Sequence, residues 1–514
     1  ARTSELEAAL RLVFHYCEGL SPAATSLALE AGPFRQVIEA LHQSDVAYHP
    51  HREVVILYYD IVVRYAKVLK ENQELLPGIL SAMSGTQGLQ HPHPRVRSRS
   101  CYLLLRLVKE MGPILRPFVE TAVGGIQGLL TNHTSLPLQP DDSLYLFETT
   151  GLLIGKAGLD ESEQQRYLMA VITPHIRSIE EIISSGNLSH DPDHYGGILA
   201  NFIAAVAYMS KPISKPSPEV KKILLGIIPV LLSALQSLPT NEHVRGKTMI
   251  ALQRMIICLN VDIIPRMSVF LELLISHCDT KDILDVTQLL NQLCIKFKSA
   301  AAPSIDSSVM PFLRKCYELI PRASEDGDLA PHLITEQLSI QKLIFIFLQH
   351  IVTRNVTSVL LSPTNGPQLE EILRVMKEGA VSIMEPSMKK TCLTFFHGLV
   401  DQWAGQSDIE NTQIQTGLIR FMFESLLPDL LRCILSPEFN ERDAMQSRNV
   451  SEIAKLLGLL KLKRKQDFDN FVRTQLRVMG FQSEIIAAFE QASSNKDFET
   501  SLKSTMSSLK CRSK

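Results

Sequence analysis

Paired cysteines, long apolar runs, aromatic rings and surplus charge are all scarce in this chain, and each scarcity removes a class of protein. The nine cysteines are scattered and none stands as Cys-x-x-Cys, which argues against a disulfide framework or a zinc site and fits a reducing compartment. The longest apolar stretch, ILLGIIPVLLSAL at 223–235, is shorter than the ~20 residues of a bilayer span and is interrupted by Pro229. No membrane partner is expected. Lys and Arg number 52 against 54 Asp and Glu, so any grip on an anionic polymer requires charge segregated into patches. The first residues contain neither Met nor a signal pattern and enter an amphipathic helix almost at once, so a piece of a longer protein is expected.

Catalytic chemistry is equally hard to find. GLLIGKAGL (151–159) has the wrong glycine spacing for a phosphate loop, lacks the hydroxyl residue and follows no strand. GGIQG (124–128) reads as a close helix contact. His190, Asp191, Asp193 and His194 would ligate a metal only if their loop folded back, and loop polarity explains them more simply. No set of nucleophile, base and orienting group emerges, so neither an enzyme nor a metal site is expected.

What is present is helical periodicity from end to end, over a composition that is 45% hydrophobic but only 6% aromatic. The fold class read from this is all-α. Apolar segments containing a proline recur at Pro77, Pro117, Pro174, Pro229, Pro265, Pro311 and Pro428, mostly at intervals of roughly 36–57 residues, near the 40–47 of HEAT-type units. An interior proline kinks a helix, so the recurrence predicts a bent first helix in each unit. A second template predicts the partner helix. Apolar or small residues fall at Val96, Ser100, Leu103, Leu104, Leu107 and Met111, and the same offsets give Val244, Thr248, Ala251, Leu252, Met255 and Leu259, then Met388, Cys392, Phe395, Phe396, Leu399 and Trp403. A basic residue follows the first position each time: Arg97, Arg245 and Lys389. Their shared place beside the core favours a structural role.

These patterns predict an α-solenoid of HEAT-type repeats forming a curved superhelix. Residues 1–440 would hold about nine or ten helical pairs, and 441–514 a C-terminal capping region with a frayed Ser/Lys-rich end. Polar stretches at 132–143, 187–197 and 211–218 read as surface loops.

Basic residues are the candidate functional groups. On a helix, Arg95, Arg99, Tyr102, Arg106 and Lys109 form one stripe well away from the apolar face. Guanidiniums at such spacing suit phosphate oxygens, and a tyrosine among them suits stacking on a base or sugar. A charge run on an exposed helix is ordinarily just solvated, so both readings stand. A second cluster, Lys461, Lys463, Arg464 and Lys465, fits a phosphate-binding patch, a localisation signal or a solvated cap.

Four blocks go further. HPRVRSRSCYLLLRLVKEM (93–111), DDSLYLFETTGLLI (141–154), LQRMIICLNVDIIP (252–265) and LNQLCIKFKSAAAPSIDSSVMPFL (290–313), in this order, resemble exportin-T, the tRNA-exporting branch of the karyopherin-β (importin-β) family, over its C-terminal half. The resemblance implies a non-catalytic receptor that loads tRNA cooperatively with Ran-GTP in the nucleus and releases it in the cytoplasm. It implies that GTP is held by Ran, so the chain needs no cofactor, and that a monomeric receptor shuttles through the pore on nucleoporin Phe-Gly repeats. A karyopherin for protein cargo and a general HEAT scaffold remain the alternatives.

Overall fold

The computed structural model describes residues 3–30, 32–131, 138–322, 330–381, 385–405, 412–436, 439, 443–493, 500–501 and 504. Among them every regular element is a helix and no strand occurs. The chain divides into two compact units, Ala1–Ile263 and Ile264–Lys514.

The longer helices of the first unit are α1 (Thr3–His15), α2 (Pro33–His42), α3 (Arg52–Arg64), α4 (Leu76–Ser84), α5 (Pro94–Met111), α6 (Val119–Thr131), α7 (Pro140–Lys156), α8 (Glu161–Ser184), α9 (Pro192–Ser210), α10 (Pro218–Ser237) and α11 (Glu242–Leu259). Helices α6 and α7, α8 and α9, and α10 and α11 pack as consecutive pairs. The second member of each pair also stacks on its counterpart, so α3, α5, α7, α9 and α11 form one continuous row, while α8 and α10 lie side by side in the other. Helix α10 holds the longest apolar stretch of the sequence, and Ile227, Ile228, Leu231 and Leu235 are buried in it because α8 and α11 flank it.

The second unit repeats the plan with α12 (Ile264–His277), α13 (Ile283–Phe297), α14 (Val309–Leu319), α15 (Pro331–Thr353), α16 (Leu369–Val381), α17 (Pro386–Trp403), α18 (Leu427–Leu435) and α19 (Ala444–Lys463). Here α13, α15, α17 and α19 form the stacked row, and α12 with α14 and α16 with α18 make the opposite layer. The tail beyond 504 and residues 132–137 of the expected loop lie outside the described residues.

The spacing template marks the second helices. All its positions in α5 and α11 are buried, as are those in α17 except half-buried Trp403. All seven prolines fall in the first-helix layer, but only three lie well inside a helix: Pro174, Pro229, and Pro428, which follows the π-helical turn Met422–Leu426 in a helical run continuous from Thr412 to Leu435. Pro77 occupies the first helical turn, Pro265 and Pro311 stand within three residues of a helix start, and Pro117 lies in a 3-10 turn before α6. The interior setting that would kink a helix is therefore met at Pro174, Pro229 and Pro428 alone among the seven, because a first-turn proline lacks an N–H that would have had no partner anyway.

A helix start explains one other difference. The expected loop 187–197 ends early, since the Asp191 carboxylate accepts from the His194 N–H and Pro192 opens α9. Before α5, the His93 ring caps the Arg95 N–H at 3.2 Å. Two glycine-rich stretches part company. At Gly151 in α7 an added Cβ would lie 2.1 Å from the Met209 carbonyl oxygen of α9, whereas Gly124, Gly125 and Gly128 of α6 have open space beside them, so GGIQG is not a close helix contact.

Candidate nucleic-acid interface

Helix α5 presents Arg95, Arg99 and Arg106 to solvent and buries Val96, Leu103, Leu104 and Leu107, as its helical period requires. The neighbouring helices of the same row decide what the stripe can do. From α3, the Glu53 carboxylate accepts from Arg95 at 3.0 Å and Asp60 accepts from Arg99 at 3.1 and 2.5 Å. Glu53 also takes an Arg52 N–H at 3.3 Å. On the other side, Lys109 meets Glu148 of α7 at 2.9 Å, and the same carboxylate accepts from Lys211, just beyond α9, at 2.7 Å. Burial of Glu148 alone would raise its pKa, but the hydrogen bonds from Lys211 and Lys109 outweigh it and hold the carboxyl below its ordinary value. The row is a ladder of interhelical ion pairs.

Tyr102 sits inside this ladder. The Arg99 guanidinium lies 5.1 Å from its ring centroid, Arg106 donates to its hydroxyl at 2.9 Å, and the Tyr145 ring meets it edge-on at 5.6 Å. Both tyrosines, with Asp60, Arg95, Ser98 and Arg99, line an open polar groove of about 570 Å³. Ser98 donates to Asp142 of α7 at 2.8 Å, which fixes the groove floor.

Arg97 and Arg245 turn the other way. Arg97, only 7% exposed, donates to the His91 and Pro92 carbonyls at 2.8 and 2.9 Å. Arg245, 2% exposed, donates to Pro239 and Thr240 at 3.3 and 2.7 Å. In both repeats the acceptors lie six and five residues back, so the guanidinium ties its own helix to the loop that leads into it. Lys389 is half-buried and instead donates to Cys433 Sγ of α18 at 3.2 Å.

The C-terminal cluster spreads over several partners. Lys463 pairs with Asp401 of α17 at 2.8 Å and Arg464 with Asp467 at 2.7 Å, Lys461 is half-buried, and Lys465 is exposed. The sequence reading missed Glu53, Asp60, Glu148 and Lys211. The available signal was the seven-residue spacing that puts Glu53 and Asp60 on one face of an otherwise apolar helix.

Comparison with known proteins addresses identity. The Exportin-T family profile matches residues 2–510. The chain belongs to the Exportin-T family. It is 27% identical to human Exportin-T over 514 residues, covering 96% of this chain and 52% of that protein. Exportin-T of rice is 26% identical over 443 residues, covering 82% of this chain and 45% of that protein. The chain thus spans about half the length of the curated relatives it matches. Among solved structures, importin-13 in its cytosolic state aligns with a TM-score of 0.62 at 13% identity, covering 93% of this chain and 52% of that one. Importin-β aligns with a TM-score of 0.55 at 14% identity, covering 98% and 57%. These likenesses establish the fold of this Exportin-T family member as a HEAT-repeat α-solenoid of the importin-β kind.

Proposed function

We propose that this chain is part of a nuclear export receptor for tRNA, which binds tRNA cooperatively with Ran-GTP in the nucleus and releases it in the cytoplasm. The observation that carries the reading is the Exportin-T family match over residues 2–510. The groove between α3, α5 and α7 supports it, since arginines and tyrosines suit the shared backbone and 2′-hydroxyls of many tRNAs better than any one sequence. In this reading GTP belongs to Ran, so the chain needs no cofactor and catalyses nothing. The receptor would act as a monomer that shuttles between nucleus and cytoplasm. Its passage would use nucleoporin Phe-Gly segments, for which the apolar cleft of about 380 Å³ between α4 and α6, lined by Leu80, Leu89, Leu115, Phe118 and Ile126, offers a seat for a phenyl ring.

A second reading, protein cargo, draws on the carboxylates that pair the arginines, because a mixed-charge surface also suits a protein. The test is anisotropy of labelled tRNA with the full-length receptor, with and without GTP-locked Ran, for wild type and for Arg95→Glu, Arg99→Glu and Arg106→Glu combined. Ran-dependent binding that falls with salt is expected, and so is its loss in the triple variant. Ran-independent, salt-insensitive behaviour would overturn the tRNA reading, and recovery of protein in place of RNA from an extract would support the second.

A further inference from the structure

The repeat position held by Arg97 in α5 and Arg245 in α11 carries a lysine in α17, and its shorter side chain reaches across to another helix. Lys389 Nζ donates to Cys433 Sγ of α18 at 3.2 Å. The sulfur in turn donates to the carbonyl of Val381, the last residue of α16, also at 3.2 Å. We infer that Lys389 and Cys433 form a modification site: a hydroperoxide oxidises the sulfur, and the lysine nitrogen then closes a covalent S–N bond that joins α17 to α18. The inference is independent of the RNA-binding reading.

The surroundings single out this sulfur. Six of the eight described cysteines are buried, and only Cys17 and Cys433 are half-buried. Burial pushes the thiols of Cys101, Cys294, Cys316 and Cys392 up, that of Cys294 to about 12, so little reactive thiolate forms there. Cys17 neighbours the Tyr65 phenol. Cys433 combines partial exposure with an ammonium on its sulfur, the setting in which thiols react with peroxides.

The atoms balance in two steps. Cys433 as thiolate attacks one oxygen of hydrogen peroxide, and the O–O bond breaks. A sulfenic acid forms, and the departing hydroxide takes a proton from the Lys389 ammonium and leaves as water. The neutral amine then attacks the sulfur, the S–O bond breaks, and a second water leaves with an amine proton. Sulfur gives up two electrons, the peroxide takes them, and the linked protein has lost two hydrogens. A sulfenic acid ordinarily condenses with a thiol or a backbone nitrogen. Here the nitrogen already in contact is Lys389 Nζ, on a flexible stem that closes the remaining distance, whereas Cys392, one turn further along α17, is packed against Gly379. The bond fastens the opposite layer to the stacked row at one repeat.

The experiment uses the whole chain as wild type, Lys389→Arg and Cys433→Ser. Each is exposed to hydrogen peroxide, freed of it with catalase, alkylated and digested with trypsin without reductant for mass spectrometry. Wild type should yield the peptides bearing residues 389 and 433 joined, uncut after Lys389 and about 2 Da lighter than their sum. Dithiothreitol should separate them, and oxidation in urea should not join them. Free Cys433 thiol should disappear at least about five-fold faster than that of Cys17. Lys389→Arg keeps a cation but no primary amine, so it should lose the joined peptides while Cys433 still takes the sulfenic-acid reagent dimedone. Cys433→Ser should give neither product at this position. Cys433 that oxidises in wild type without the joined peptides, or that is consumed no faster than Cys17, overturns the inference, and both readings need only the wild-type chain. Joined peptides that persist in Lys389→Arg or Cys433→Ser overturn it as well.

Discussion

Replacing Arg245 by leucine removes the guanidinium that bonds the Pro239 and Thr240 carbonyls at 3.3 and 2.7 Å. With the side chain 2% exposed, water does not reach the vacated carbonyls freely, and leucine restores apolar volume without any donor. Hydrogen bonds to a charged group contribute about 1.5–3 kcal/mol each, and the longer of these two sits at the weak end, so a loss of about 2–4 kcal/mol is expected. With two compact units, a global unfolding midpoint reports that stability is lost but does not assign the loss to α11 and its loop. Local hydrogen exchange is better suited. If the loop and the first turn of α11 open with that lost energy, exchange in a peptide covering residues 238–248 should accelerate about 30- to 1000-fold, while α1 and α3 stay unchanged. Arg97→Leu should do the same to residues 90–100, because its bonds occupy the same positions relative to the helix. Lys389→Leu should do much less, since its ammonium is half-buried and faces a thiol. Acceleration below three-fold at 238–248, or an equal effect from Lys389→Leu, would refute the idea that these arginines tie helix to loop.

Other perturbations follow from the same contacts. His42 is 6% exposed with neither ring nitrogen bonded, and burial pushes its pKa down to about 4. The unfolded chain therefore binds a proton that the fold refuses, so stability in full force above pH 6.5 should fall by about 3 kcal/mol as pH drops to 4, and His42→Leu should flatten that part of a pH-melting series. Glu148→Gln leaves Lys109 and Lys211 facing each other without their common anion, and should lower stability by about 1–3 kcal/mol in denaturant titration, with a smaller loss from Glu219→Gln. Gly151→Ala places a methyl 2.1 Å from the Met209 carbonyl oxygen, so α7 and α9 must separate, at a cost of about 1–3 kcal/mol or more seen as a lower melting temperature.

Helix pairing is legible in the sequence because burial repeats with the helical period: one set of offsets finds α5, α11 and α17 without any knowledge of their neighbours. Proline was less informative than it looked, since the residue marks either a kink or a start and only the surrounding hydrogen bonds tell which. The charged stripe shows the same boundary. Its direction about the axis of α5 is a local property and could be read from Arg95, Arg99 and Arg106. Its partners could not, because Glu53 lies 42 residues from Arg95 and Asp60 lies 39 from Arg99, and their meeting depends on how far α3 and α5 slide along each other. GGIQG failed for a similar reason: small residues permit close approach, but only packing decides whether a neighbour uses it.

Ion pairs of the first unit link part of the stacked row, from Glu53 and Asp60 on α3 to α5, and from Lys109 on α5 through Glu148 on α7 to Lys211 beyond α9. In a stack where each repeat touches only its neighbours, such links contribute to the nearest-neighbour terms that hold adjacent helices at one spacing and angle. An anion that captures Arg95 and Arg99 thus acts on the α3–α5 junction while the better buried Glu148 link keeps α5, α7 and α9 together. Binding at the groove and the stacking angle of two helices become linked quantities, and by reciprocity any partner that alters that angle alters anion affinity by the same factor. Cooperativity between a nucleic acid and a second protein then requires no contact between them, only a shared preference for one arrangement of this junction.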